Sequence, residues 1–234
     1  MRGPSELERD AAEREALSRV RLLGLYRGAS RADRAQVWAR WWTCPLPALE
    51  AEVPLRGRVL EVGCGRGLTL MSIVVGRPDR EALGIDIDPE KVRVAADAVR
   101  RLGAGDGRAT VEVLEAGALP DGGFDAIVFN DMLYLLPSPE RCRLLADATE
   151  RLAAGGCIVI KENDVRPRWK HLVNLAHNAV LRRLIGNLEG DTVDLWRPDA
   201  YRQVLEDLDL DVRVQRLDHG YPYAHWLLVA RPLR

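Results

Sequence analysis

Three glycines, Gly63, Gly65 and Gly67, alternate with Cys64 and Arg66 directly after the apolar run RVLEV (58–62) and before LTLMSIVV (68–75). A turn that leaves a strand and enters a helix directs backbone N–H groups and the positive helix end toward a ligand. Glycine permits the tight path and the close approach. One glycine would serve a plain connection, so three alternating ones point to a nucleotide-type ligand. The spacing is G-x-G-x-G, with Leu68 where the dinucleotide fingerprint G-x-G-x-x-G would have its last glycine. An acid, Glu61, stands two residues before the first glycine. Some twenty residues on, Asp86 closes the run EALGID, where a carboxylate can accept both hydroxyls of a ribose. Ile87 beside it can stack on a base. Asp88, just before Pro89, reads as a helix cap.

A second set of reactive side chains follows two later apolar runs. FDAIVFND (124–131) ends on Asn130 and Asp131, and GGCIVIKEN (155–163) ends on Lys161, Glu162 and Asn163. Open α/β sheets bind ligands outside the carboxyl ends of their strands, so both endings are candidate site positions. Asp131 is expected to face the reacting centre, with a capping role as the plain alternative. His171, in the charged stretch DVRPRWKH (164–171), is the candidate general base. Tyr134, Lys161, Glu162, Asn163 and Trp169 are the candidate substrate contacts, although a charge run of this kind also makes an ordinary solvated loop. The other histidines, His177, His219 and His225, read as structural.

These residues need elements to hold them. Apolar spacing near 3.6 predicts a helix over 5–26 and another over 32–42, with Val37, Trp38, Trp41 and Trp42 on one apolar face and Pro45 and Pro47 ending it. From residue 58 to 163 strands and helices alternate through short loops, which predicts a parallel sheet covered on both faces. Residues 166–190 then read as a helical insertion. A helix at PDAYRQVLEDL and two strands, DVRVQRLD and HWLLVARP, follow. The short link HGYPY makes these a hairpin, so the last strand runs antiparallel.

Composition narrows the field. Thirty-four Lys and Arg against 35 Asp and Glu give a net charge of −1, unlike the basic balance of a dedicated nucleic-acid binder. No apolar run reaches the roughly 18 residues of a membrane span, and the charged start MRGPSELERD lacks a signal core. Four scattered cysteines without a C-x-x-C argue against zinc, a metal centre or a disulfide framework. A cytoplasmic setting is expected.

EVGCGRG, taken with GIDIDP, FDAIVFND, LAAGGCIVIKE and HWLLVARP, resembles the class I S-adenosylmethionine (SAM)-dependent methyltransferases over roughly residues 57–231. The resemblance implies a Rossmann-like α/β fold. Its seven-stranded, mostly parallel sheet has the last strand antiparallel and helices on both faces, with a helical N-terminal extension and a helical lid insertion. It implies a single domain over 1–234, with a cap (1–50), a cofactor core (57–165), the insertion (166–190) and a C-terminal helix and hairpin (191–234). It further implies SAM as cofactor, held by Glu61, Gly63, Cys64, Gly65, Gly67, Asp86, Ile87 and the backbone at Asn130. One departure stands out. Gly117 occupies the place of the acid that usually accepts from the adenine amino group, so backbone groups of 116–118, or Glu115, would take over. The chain also lacks the Asn/Asp-Pro-Pro-Tyr signature of amino methylation on bases or glutamine, and the Pro-Cys nucleophile of pyrimidine methylation.

The leading functional expectation is methyl transfer to an oxygen or nitrogen atom of a small apolar, lipid-like or secondary-metabolite acceptor. No nucleic-acid partner is expected, and peripheral contact with lipid remains open. A SAM-binding regulator without transferase activity and a protein N-terminal or peptide methyltransferase, the latter from a faint likeness of IKEN to IKDN, are the alternatives.

Overall fold

The computed structural model describes residues 20–163, 196–217 and 221–233. Seven strands form one sheet: β1 (Gly57–Val62), β2 (Arg80–Asp86), β3 (Arg108–Val113), β4 (Phe124–Asn130), β5 (Leu152–Asn163), β6 (Leu210–Arg216) and β7 (His225–Pro232). Their order is β3-β2-β1-β4-β5-β7-β6, and β7 alone runs antiparallel, between β5 and β6. The order reverses between β1 and β4, which opens a crevice at the carboxyl edge of the sheet. The Rossmann-like architecture expected from the motifs is the one observed.

Helices cover both faces. α1 (Arg31–Thr43), α2 (Leu46–Glu50), α3 (Leu68–Val74) and α4 (Pro89–Val99) pack with Val59, Val128, Val159 and Leu227 into one core. α5 (Ser138–Glu150) and α6 (Pro198–Glu206) pack with Leu60, Ile127, Ile160 and Trp226 into the other. A central strand buried on both sides alternates its contributions between two cores, which is why VLEV is apolar almost without interruption. Its one acid, Glu61, shares the α1 side with Val59.

The N-terminal reading needs two corrections. Pro45 and Pro47 do more than end α1, because Pro45 caps and Pro47 opens the short helix α2. Trp38 and Trp42 are not core residues. They are 55% and 47% exposed and meet edge to face with ring centroids 6.0 Å apart, while Val37 alone of the four is fully buried. The expected helix over 5–26 lies outside the described residues except for its last turns, and residues 20–24 are helical. The insertion over 166–190, with Trp169 and His171, lies wholly outside them.

Candidate cofactor and acceptor site

The glycine turn is built by its own hydrogen bonds. The Gly63 and Cys64 amides donate to the Ile85 carbonyl at 2.8 and 2.9 Å, and the Gly67 amide donates to the Cys64 carbonyl at 2.8 Å. The Gly65 amide donates to Asp86 Oδ2 at 2.7 Å. The expectation that these amides point at a ligand is therefore corrected, since four of them are spent inside the fold. The turn is a shaped platform and not an anion cradle, which fits a ligand without phosphate. Positive φ angles of 53° at Gly65 and 75° at Gly67 make this path a glycine path. A Cβ on Gly67 would stand 2.9 Å from that of Ala95, so α4 packs tightly against it.

Asp86 is engaged on both oxygens, since Oδ1 also accepts from the Asp88 amide at 2.9 Å. Each carboxylate oxygen has a second lone pair, and these remain for hydroxyl donors. Asp88 caps α4 by accepting from the Glu90 and Lys91 amides, as its place before Pro89 suggests. Ile87 is 59% exposed, an apolar side chain held out beside Asp86. Gly117 adopts a φ of 79° in a turn closed from the Ala118 amide to the Glu115 carbonyl. That left-handed conformation suits glycine.

Glu61 is 2% exposed behind the turn, and its Oε2 is buried without a partner. Burial pushes its carboxyl up to about 8, against the Thr69 hydroxyl and the Arg40 charge. Asn130, also buried, donates from Nδ2 to Thr69 Oγ1 at 2.7 Å and lies against the Cys44 thiol. Its carbonyl accepts from Arg40 Nη2 at 3.3 Å.

Beyond Asn130, Asp131 takes a φ of 54° and turns its carboxylate under α1. Oδ2 binds Lys161 Nζ at 2.5 Å and Arg40 Nη1 at 2.8 Å, while Oδ1 is buried and unpartnered. Burial alone would raise this acid, but Lys161 and Arg40 overcome it and hold it at about 2. It is thus a fixed anion and not a proton acceptor at neutral pH. His225, opposite Asn163 in the β5–β7 pairing, bonds the Thr43 carbonyl through Nε2 at 2.7 Å. Burial, then Lys161, bring it down to about 3, so it is neutral and donates to that carbonyl.

The expected substrate contacts separate. Lys161 and Glu162 are both fully buried within the fold. Alternation along β5 sends Lys161 to the α1 side and Glu162 to the other face. There Glu162 accepts from the Tyr201 hydroxyl at 3.1 Å and the Tyr134 amide at 3.2 Å. Burial and then Asp131 raise it to about 7. Tyr134 itself lies in a single 3₁₀ turn, Leu133–Leu135, at the mouth of the crevice. Asn163 is half-buried on the Lys161 side, with Oδ1 buried and unpartnered.

Sequence reading missed the residues that lower α1 onto this edge. Besides Arg40, the Tyr26 hydroxyl donates to the Arg66 carbonyl at 2.9 Å, and Arg66 Nε donates to Asp33 at 2.7 Å. The helix reaches the turn and β4 across 33 to 90 residues of sequence. No local spacing encodes that.

A reversed-order sheet with one antiparallel strand, a glycine turn locked to an acid on β2 and a buried acid behind it make up the Rossmann-like fold that SAM-dependent methyltransferases share. Residues 59–156 match the family model described as a methyltransferase domain. Among curated relatives, ubiquinone biosynthesis O-methyltransferase of Xanthomonas campestris pv. campestris is 35% identical over 119 residues, covering 43% of this chain and 47% of the relative. Release factor glutamine methyltransferase of Rhodospirillum rubrum is 43% identical over 74 residues, 32% and 22% of the two chains. The chain therefore spans less than half the length of these relatives. Among solved structures, magnesium protoporphyrin IX methyltransferase from Synechocystis with bound SAH is similar at a TM-score of 0.59 and 18% identity, over 80% of each chain.

Proposed function

We propose that this protein transfers a methyl group from SAM to an oxygen or nitrogen atom of a small, apolar acceptor. The observation that carries the cofactor reading is the unpartnered, buried Glu61 Oε2 behind a glycine turn pinned to Asp86. A buried acceptor atom without a donor is costly unless a ligand supplies one, and the ammonium of the methionine moiety would. Asp86 would accept the ribose hydroxyls, Ile87 would cover the adenine, and Arg40 would face the methionine carboxylate.

Bound SAM supplies an electrophilic methyl on a sulfonium, so the protein's work is alignment and exclusion of water. Among the described residues on the α1 side, Asp131 stays ionised and His225 stays neutral at pH 7, and neither takes a proton there. On this reading the acceptor arrives as a nucleophile, either an amine with a free lone pair or a hydroxyl acidic enough to ionise. The O-methyltransferase relatives favour the hydroxyl. NDML at 130–133 stands where Asn/Asp-Pro-Pro-Tyr would be, which weighs against glutamine methylation.

Calorimetry with SAM, its demethylated product and NAD tests the cofactor. Micromolar NAD binding without SAM binding would overturn the proposal. Incubation with methyl-labelled SAM and fractionated lipid-soluble and water-soluble extracts tests transfer. SAM binding with no labelled product in any fraction would support the regulatory alternative.

A further inference from the structure

α1 has two faces of different character. Asp33, Val37 and Arg40 turn inward to the glycine turn and the sheet edge. Arg31, Arg34, Ala35, Trp38 and Trp42 are all exposed, and at 100° per residue they fall within an arc of about 100° on the opposite side. Trp38 leaves more than half of its surface in solvent on an otherwise polar helix. Among the described residues no ion pair holds Arg31, Arg34 or the exposed Arg27 just before the helix. Among the same residues Asp33 pairs with Arg66, and Glu90 and Asp97 pair with Arg93 of α4. Beside this stripe runs an open cleft of about 540 Å³ with Leu23 and Tyr26 on one wall and Arg31, Arg34 and Trp38 on the other.

Uncompensated guanidinium groups bordering exposed indole rings are the arrangement of a surface that lies in a lipid interface. Tryptophan settles at headgroup depth, and arginine reaches the phosphates. We propose that the outer face of α1 docks on an anionic lipid bilayer, with Trp38 in the interface and Arg27, Arg31 and Arg34 on the headgroups. The charge decides this occupant over a second copy of the chain, because pairing two such faces would bring together six arginines that form no ion pair among the described residues. Docking would set the crevice, one helix thickness behind, at the membrane surface. The inference rests on α1 alone and holds whether or not the chain transfers methyl groups.

Sedimentation of the full chain with vesicles tests it. Vesicles of phosphatidylglycerol and phosphatidylcholine in equal parts should bind the protein at least tenfold better than pure phosphatidylcholine, and the difference should collapse in 0.5 M salt. Arg31→Glu and Arg34→Glu should each lower partitioning roughly fivefold or more. Trp38→Ser should lower it to a similar extent without moving the melting temperature, since its ring is mostly exposed. No binding to the anionic vesicles overturns the proposal. So does equal binding to neutral ones, or full binding by the three variants. A concentration-dependent dimer that Trp38→Ser abolishes, with no vesicle binding, would assign the face to a second copy instead.

Discussion

Asp86 accepts a 2.7 Å hydrogen bond from the amide of Gly65, so the end of β2 fixes the middle of the glycine turn 21 residues earlier. The acid expected to bind ribose is also a structural member of the platform on which the cofactor would lie.

That double duty separates two substitutions. Gly65→Val must place a branched side chain at a φ of 53°, which costs on the order of 1–3 kcal/mol. No protein atom lies nearer than Asp86 Oδ2 at 4.0 Å, so the new methyls project into the crevice. SAM binding should be lost while the far-ultraviolet spectrum stays native. Unchanged affinity would show that the cofactor lies elsewhere. Asp86→Asn keeps shape but weakens the turn, and should both raise Kd for SAM and lower the melting temperature.

SAM binding is expected to be proton-linked, with Glu61 as the proposed partner of the methionine ammonium. With its carboxyl at about 8, it is mostly protonated at pH 7 and must ionise to pair with an ammonium. Calorimetry at pH 7 in buffers of different ionisation enthalpy should report release of close to one proton per SAM bound, roughly 0.9 from the pKa and pH. Affinity should rise with pH up to about 8. Glu61→Gln should abolish the release, and proton-neutral binding by the native protein would remove Glu61 from the site.

Glu162 sets a pH dependence of stability. Its folded carboxyl is raised to about 7 from an ordinary 4.5, so the native state holds more protons between those values. Stability from this group is complete below 4.5 and is lost as pH rises toward 7. His225, lowered to about 3, acts with the opposite sign between 3 and 6.5. The informative quantity is therefore the difference between the native protein and Glu162→Gln. From pH 5 to pH 7.5 the variant's melting temperature should fall less. Parallel curves would refute the assignment.

Arg80 anchors the far end of β2. Its buried guanidinium donates to the carbonyls of Val53, Pro54 and Ile73 and pairs with Glu50 at 2.5 Å. Arg80→Met would leave three carbonyls without their donor and Glu50 with only Arg77, a loss of about 3–5 kcal/mol. For a chain of this size that is on the order of 10 °C in melting temperature. SAM affinity at the survivor's working temperature should hardly change, which distinguishes a scaffold residue from Gly65.

The sheet and its crevice were legible because they rest on local signals. Alternating apolar runs, Pro89 and Pro139 at helix starts, and the G-x-G-x-G spacing each act within a dozen residues. The acceptor side was not, since Arg40, Asp131, Lys161 and His225 meet only through tertiary packing. IKEN shows four polar residues in a row. It does not show that Lys161 has an anion waiting 30 residues upstream, or that Glu162 faces the other core. Trp38 and Trp42 misled for the opposite reason. Indole counts as apolar in any periodicity, and only solvent exposure shows that this stripe faces away from the core.

The bond from His225 to the carbonyl of Thr43 spans 182 residues and joins the first residue of β7 to the end of α1. During synthesis α1 emerges early, and although Arg40 and Cys44 can rest on Asn130 and Asp131, the Thr43 carbonyl lacks its partner until β7 has been made and paired with β5. The glycine turn, β2 and β4 can fold well before that moment. The ribosome therefore releases a platform first and a seated cap last. A nascent chain stalled before His225 should carry a cofactor crevice whose cap is still unlatched.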